Sequence, residues 1–193
     1  MLTPSQQAFI AREIFSLVVA ATFQHNPTYS KNNSPEPARV DFRADLRQRL
    51  EVLAIRYKQV VPDCEHLENI VALSDGLSEA HKHILEGGRF RIGSTQKALN
   101  LFIKYQWCMG QAKIPPHCPI DAIILERIPG CENVRWTKLD SLKTYIEIIN
   151  KARVQAGGMS LAEWELQVFN KTIADRTGSP TGTLPPPTST TLL

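Results

Sequence analysis

Apolar residues recur at intervals of three and four along most of the chain. This spacing places them on one face of an α-helix, and no run alternates apolar and polar residues as a half-buried β-strand does. Proline, glycine and capping residues divide the pattern into separate helices. The predicted helices cover about residues 3–23, 41–58, 65–85, 95–109, 120–128, 142–156 and 160–174. We therefore expect an all-α fold.

Two stretches lack this helical periodicity. Residues 24–39 contain three prolines together with asparagines and serines, which predicts a surface loop. Residues 175–193 are mostly threonine, proline, serine and glycine, so they cannot contribute a core and are expected to form a disordered tail. The remaining residues, 1–174, are expected to form one compact helical domain.

The composition fits a globular protein with a sizeable core, because the chain has 193 residues of which 42% are hydrophobic. The net charge of +3 permits a nucleic-acid partner but does not require one. No leader-like segment and no apolar run of the ~20 residues that a bilayer needs is present. We expect a protein that is not secreted and has no membrane contact, located in the cytoplasm (nucleoid-associated) or the nucleus, with reduced cysteines and no cofactor. Its oligomeric state is left open.

The predicted helix over 95–109 is apolar on nearly every side, which is typical of a helix buried in the core. Its narrow polar stripe consists of Lys97, Asn100, Lys104 and Gln111. Ser94 is the expected N-cap, and Gly87-Gly88 with the basic connector 89–93 predicts a helical hairpin over about 84–109. Free backbone N–H groups in the first turn, beside Gly93 and Lys97, would suit a phosphate group.

Asp121 is the second residue to which the sequence assigns chemistry. It follows Pro119 and precedes an apolar run, so it is the expected N-cap of the short helix predicted there. A lysine at the start of one helix, Lys97, is therefore expected to face a carboxylate at the start of the next.

Two segments carry a resemblance to a known family. The run Gly93-Ser94-Thr95-Gln96-Lys97-Ala98, followed by Cys118-Pro119-Ile120-Asp121, resembles the helix-hairpin-helix DNA glycosylases. The likeness is to the 8-oxoguanine glycosylase and lyase branch, including its archaeal form. In that family the hairpin leads into a helix that carries a nucleophilic lysine, and a downstream aspartate assists it.

The resemblance implies a DNA base-excision glycosylase, with or without an accompanying AP lyase activity, and DNA as its partner. Lys97 would be the nucleophile that forms a Schiff base with the sugar, and Asp121 would assist it. The target base would be flipped out of the stack into a pocket. The residues expected to hold phosphates are Arg89, Arg91, Gly93, Ser94 and Thr95. The residues expected to line the base pocket are Phe90, Tyr105, Trp107 and His117.

The alternative is a non-catalytic helical module that binds nucleic acid, through the hairpin and the basic helix over 41–58, or binds another protein. Under that interpretation Lys97 is a solvated surface lysine and Asp121 is only a helix cap. The residue types of a zinc site are present in His117, Cys118, Cys108 and Cys131. Their spacing includes no Cys-x-x-Cys or His-x-x-x-His pair, so we expect no metal.

Overall fold

A computed structural model describes residues 2–24 and 26–177 of the chain. It confirms the all-α fold: the described residues form helices and contain no β-strand, apart from one isolated bridge between Tyr29 and Leu85. None of these helices is long and apolar enough to cross a membrane. The helices are α1 (Pro4–Phe23), α2 (Glu36–Ala54), α3 (Asp63–His81), α4 (Ile92–Cys108), α5 (Ala122–Leu125), α6 (Leu142–Ala156) and α7 (Leu161–Thr177).

Helix α4 lies at the centre of the fold and packs against α1, α2, α3 and α6. Its apolar residues, among them Leu99, Phe102 and Ile103, are buried in the main core. Three members of its polar stripe, Lys97, Asn100 and Lys104, are buried as well. The prediction of a buried central helix is therefore confirmed, and its polar stripe must find partners inside the protein.

Several helix ends follow from their capping residues. Thr3 and Gln6 form a capping box at the start of α1, with proline in the first turn. Ser141 caps α6, which ends at Gly157 in the left-handed conformation that favours glycine. Ser160 caps α7: its Oγ atom accepts from the Glu163 backbone N–H at 3.2 Å and donates to the Glu163 carboxylate at 2.8 Å, so the bond from the Ser160 backbone N–H that would complete a capping box is replaced by one from its hydroxyl.

Other helix ends differ from the prediction. Helix α2 begins at Glu36, directly after its N-cap Pro35, and not at Asp41. Pro37 lies in the first turn, where the N–H group that proline lacks would have no partner within the helix. Helix α4 begins at Ile92, so its N-cap is Arg91 and not Ser94. The short predicted helix over 120–128 contracts to the four residues of α5.

The helix-hairpin-helix element is not confirmed. The connection between α3 and α4 spans residues 82–91 and contains a 3₁₀ turn at Glu86–Gly88 and the bridge from Leu85 to Tyr29. Its ten residues begin and end earlier than the nine residues, 86–94, that the predicted helices leave between them. At the other end of the chain, α7 continues to Thr177, past the predicted boundary at 174. Residues 178–193, most of the predicted tail, lie outside the described residues.

Candidate functional site

The structure brings together the two residues to which the sequence assigned chemistry. Lys97, in the second turn of α4, places its Nζ atom 3.4 Å from Oδ2 of Asp121. Asp121 is the N-cap of α5, and its Oδ1 atom accepts a hydrogen bond from the backbone N–H of Ile124 at 3.2 Å. One carboxylate therefore caps a helix and binds a lysine at the same time.

Trp136 completes this site, although no sequence motif marks it as a site residue. The Lys97 Nζ atom lies 4.3 Å from the centroid of the indole ring, a cation–π contact. Trp136 belongs to a 3₁₀ turn, Trp136–Lys138, which packs against the first turn of α4. A glycine is needed there: a Cβ atom on Gly93 would lie 1.8 Å from the carbonyl oxygen of Trp136. The close backbone approach predicted at Gly93 occurs, but the approaching group belongs to the protein itself.

The environment of Lys97 favours an amine that can lose its proton. Its side chain is only 10% exposed, and burial lowers its pKa because it disfavours the charged form. The Asp121 carboxylate opposes that shift by stabilising the ammonium ion. Asp121 itself is 27% exposed, so the pair meets solvent on its carboxylate side. A partly desolvated amine next to a carboxylate is an arrangement suited to nucleophilic attack on an electrophilic carbon.

The residues expected to hold phosphates are largely engaged within the protein. Arg89 forms ion pairs with Asp75 at 2.6 Å and with Asp140 at 3.3 Å. Two of the backbone N–H groups expected to be free are also used: that of Ile92 donates to Asp140 Oδ1, and that of Gly93 donates to the Leu139 carbonyl.

The remaining three residues of that set differ in exposure. Ser94 and Thr95 are buried, and their hydroxyl groups accept from Asn26 and donate to the backbone, respectively. Arg91, the N-cap of α4, is partly exposed, and no described residue forms an ion pair with it.

The residues expected to line a base pocket are not gathered around Lys97. Phe90 is buried in an aromatic cluster with rings of α1 and α2. Tyr105 and Trp107 lie eight and ten residues further along α4, about 12 and 15 Å along the helix axis from Lys97. His117 is fully buried and bonded to other side chains. These four residues do not line one pocket around Lys97. The resemblance carried no information on which faces of the helices pack together.

His117 belongs to a buried polar network that sequence reasoning also missed. Its Nδ1 atom lies 2.9 Å from the Tyr145 hydroxyl, and its Nε2 atom lies 2.8 Å from Asp63 Oδ1. The ring of His66 meets it edge-on at a centroid distance of 4.5 Å, and burial lowers the pKa of His117 to about 4. Burial also lowers the pKa of His66, to about 3, so both imidazoles are neutral at pH 7.

Cys118, next to His117, is a buried free thiol whose pKa burial raises, which is unfavourable for a reactive thiolate. Within the part of the chain that the structure describes, no three histidine, cysteine or carboxylate side chains are grouped as metal ligands would be.

Comparisons of the chain with protein-family models, with curated proteins and with solved structures found no match. The candidate site is therefore defined by its own geometry: Lys97, Asp121 and Trp136 in mutual contact at the meeting point of α4, α5 and the 136–138 turn.

Proposed function

We propose that this chain is a DNA base-excision glycosylase with AP lyase activity, in which Lys97 is the nucleophile and Asp121 assists it. The observation that carries the proposal is the 3.4 Å contact between Lys97 Nζ and Asp121 Oδ2 at a site that opens to solvent on the aspartate side. The two residues are far apart in sequence, and the resemblance to the glycosylases assigns chemistry to both.

The chemistry requires an unprotonated amine and a carboxylate. Lys97 Nζ attacks C1′ of the deoxyribose while the glycosidic bond breaks, and the base leaves with the bonding electrons and takes up a proton. Asp121 stabilises the positive charge that develops on the sugar and accepts a proton from the attacking amine. Ring opening then gives a Schiff base, and loss of a C2′ proton expels the 3′ phosphate by β-elimination.

A DNA partner needs cations that are not already neutralised. Arg135 and Lys138 flank Trp136 in the turn that contacts Lys97, and both are exposed. No described carboxylate forms an ion pair with either of them. Together with Arg91 they are the cations available for backbone phosphates near the site, where such contacts fix position and not sequence.

The test is covalent trapping on DNA. Purified protein is incubated with duplexes that each carry 8-oxoguanine, uracil, an alkylated purine or an abasic site, with and without borohydride, which reduces the Schiff base to a stable adduct. The wild type should form an adduct with at least one duplex, and Lys97→Gln should form none.

Lys104→Gln is the matched control, because Lys104 is the other buried lysine of the polar stripe and is paired with Glu165, away from Asp121. Breaking this buried pair lowers stability, so both lysine variants are compared at a temperature where circular dichroism shows them folded. The adduct of Lys104→Gln should persist. An adduct that survives Lys97→Gln in a folded protein would overturn the assignment.

The second candidate function is a non-catalytic helical module that binds nucleic acid or another protein. It is favoured by the burial of Phe90 and His117 and by the internal bonds of the first N–H groups of α4. In that case Lys97 and Asp121 form a structural ion pair. Binding without trapping or strand scission, unchanged in Lys97→Gln, would favour this function over the enzyme.

A further inference from the structure

The segment 117–121, which ends at Asp121, is held by amide side chains of α4. Gln96, the neighbour of Lys97, is fully buried and bonds both backbone polar groups of Ile120. Its Nε2 atom donates to the Ile120 carbonyl at 2.7 Å, and its Oε1 atom accepts from the Ile120 N–H at 3.1 Å. A side-chain amide thus pairs with the backbone as a neighbouring β-strand would, directly before Asp121.

The side-chain amide of Asn100, one helical turn further along α4, also contacts the segment 117–121. The Asn100 Nδ2 atom lies 2.9 Å from the Cys118 carbonyl oxygen, 3.1 Å from Gln96 Oε1 and 3.1 Å from the Tyr145 hydroxyl, so its two N–H groups are shared among these three acceptors. Gln96 also donates to the Gly93 carbonyl at 2.9 Å, which fixes its own orientation. Every donor and acceptor of the Gln96 amide is therefore used, and the amide cannot turn over without losing bonds.

We propose that Gln96 is a positioning residue for the reaction: by holding Ile120 it places the Asp121 carboxylate on Lys97 Nζ. The inference deepens the proposed function and rests on it, since it concerns the same pair. Gln96 touches neither the substrate nor the reacting atoms. It acts through the backbone of the residue that precedes Asp121.

The placement matters because, apart from Lys97 itself, the hydrogen bond described for the Asp121 carboxylate is that from the Ile124 N–H to Oδ1 at 3.2 Å. Helix α5, which Asp121 caps, has only the four residues Ala122–Leu125, and the carboxylate is partly exposed. Without the Gln96 bonds the carboxylate would move away from the amine. A misplacement of about 1 Å at a reacting group costs on the order of 100-fold in rate.

The test uses Gln96→Asn and Gln96→Met, which are uncharged and too short or too apolar to pair with Ile120. The first readout needs no DNA: deuterated formaldehyde and cyanoborohydride convert lysine amines to methylated products, and peptide mass spectrometry follows Lys97 as a function of pH. Asp121→Asn is the reference, because it removes the carboxylate charge in place.

Burial already lowers the pKa of Lys97, and loss of the nearby carboxylate removes the charge that opposes this effect, so the pH midpoint of its methylation should fall. Both Gln96 variants should shift the midpoint in the same direction as Asp121→Asn, and their DNA adduct should form about 10- to 100-fold more slowly.

Asn69→Leu controls for the loss of a buried amide, since Asn69 bonds Tyr57 and Arg56 and none of residues 117–121. It should leave the midpoint unchanged. Folding of each variant is checked by circular dichroism, and Gln96→Asn is the milder change if Gln96→Met unfolds.

The pH midpoint of Lys97 methylation tests the positioning role of Gln96, and the DNA adduct tests the glycosylase. Folded Gln96 variants with the wild-type midpoint, in a protein whose midpoint does respond to Asp121→Asn, would overturn the positioning role whatever the protein does to DNA. A shifted midpoint in a protein that traps no DNA would support the positioning of Asp121 by Gln96 and reject the glycosylase.

Discussion

Two lysines of the α4 polar stripe are buried, and each is paired with a carboxylate from another part of the chain. Lys97 meets Asp121, which is partly exposed, whereas Lys104 meets Glu165 of α7, and both partners of that second pair are buried at a distance of 2.6 Å. Solvent access therefore distinguishes a pair suited to chemistry from a pair suited to holding α7 on α4.

Removing one partner of the buried Lys104–Glu165 pair should lower the free energy of unfolding. Glu165→Leu leaves the Lys104 charge buried without a counter-charge, and we expect a loss of about 3–5 kcal/mol in the free energy of unfolding. The double variant with Lys104→Met should recover most of it, because neither charge then remains. Urea denaturation measures both. A single variant that loses less than about 1 kcal/mol, with no gain in the double variant, would contradict this role.

For individual residues, the sequence predicted the pairing of Lys97 with Asp121 but not the side chains that surround the pair. The pairing followed from two helix starts, each marked by local residues. Trp136 was not found because it is distant in sequence and shares no motif with either residue. Phe90, Tyr105, Trp107 and His117 were assigned to one pocket because aromatic and imidazole groups suit stacking, whereas packing placed them in different parts of the fold.

At the scale of elements, the contact between α4 and the 136–138 turn depends on a missing side chain. Gly93→Ala would force the Trp136 backbone away, since the added Cβ atom meets a carbonyl at 1.8 Å and not a side chain that can turn aside. We expect a lower melting temperature and loss of the contact between the Trp136 indole and Lys97. Tryptophan fluorescence measures the change in the environment of the indole.

The matched control is Gly76→Ala in α3, whose Cβ atom would meet only the end of the Arg49 side chain at 2.5 Å. The Arg49 side chain is partly exposed and bonds Asp45 through its Nε atom, so its terminal nitrogen can turn aside. Alanine favours a helix over glycine by up to about 1 kcal/mol, and this variant should be neutral or slightly stabilised. Equal melting temperatures for the two variants would show that the turn does not pack on Gly93.

Helix ends were predictable where a local signal marks them. The capping box at Thr3, the side-chain cap at Ser160 and the glycine after α6 are such signals. The start of α4 was misplaced because Ser94 resembles an N-cap, although it lies in the buried first turn and accepts a hydrogen bond from Asn26 of a distant loop. Tertiary contacts of that kind leave no trace in local sequence.

At the scale of the whole molecule, the buried histidines link stability to pH. Burial lowers the pKa of His66 to about 3 and of His117 to about 4, although Asp63 partly offsets the effect. The unfolded chain binds protons at these residues near pH 6.5, before the folded state does. Stability is therefore complete above about pH 6.5 and falls as the pH drops toward 4, by up to about 1.4 kcal/mol per pH unit for each histidine.

Urea midpoints between pH 7 and pH 4.5 measure this dependence. His66→Phe should flatten the curve, whereas His83→Gln should not, because His83 is exposed. A midpoint that stays constant from pH 7 to pH 4.5 in the wild type would show that the two imidazoles are not buried in the neutral form.

Mapping the borohydride-trapped DNA adduct by peptide mass spectrometry identifies the nucleophilic amine directly. Trypsin does not cleave at an alkylated lysine, so a nucleophilic Lys97 should yield the peptide 92–104 carrying the mass of the reduced sugar remnant. We expect that peptide to hold the adduct. An adduct mapped to another lysine or to the N-terminal amine, or no adduct with any lesion, would contradict the assignment of Lys97 as the nucleophile.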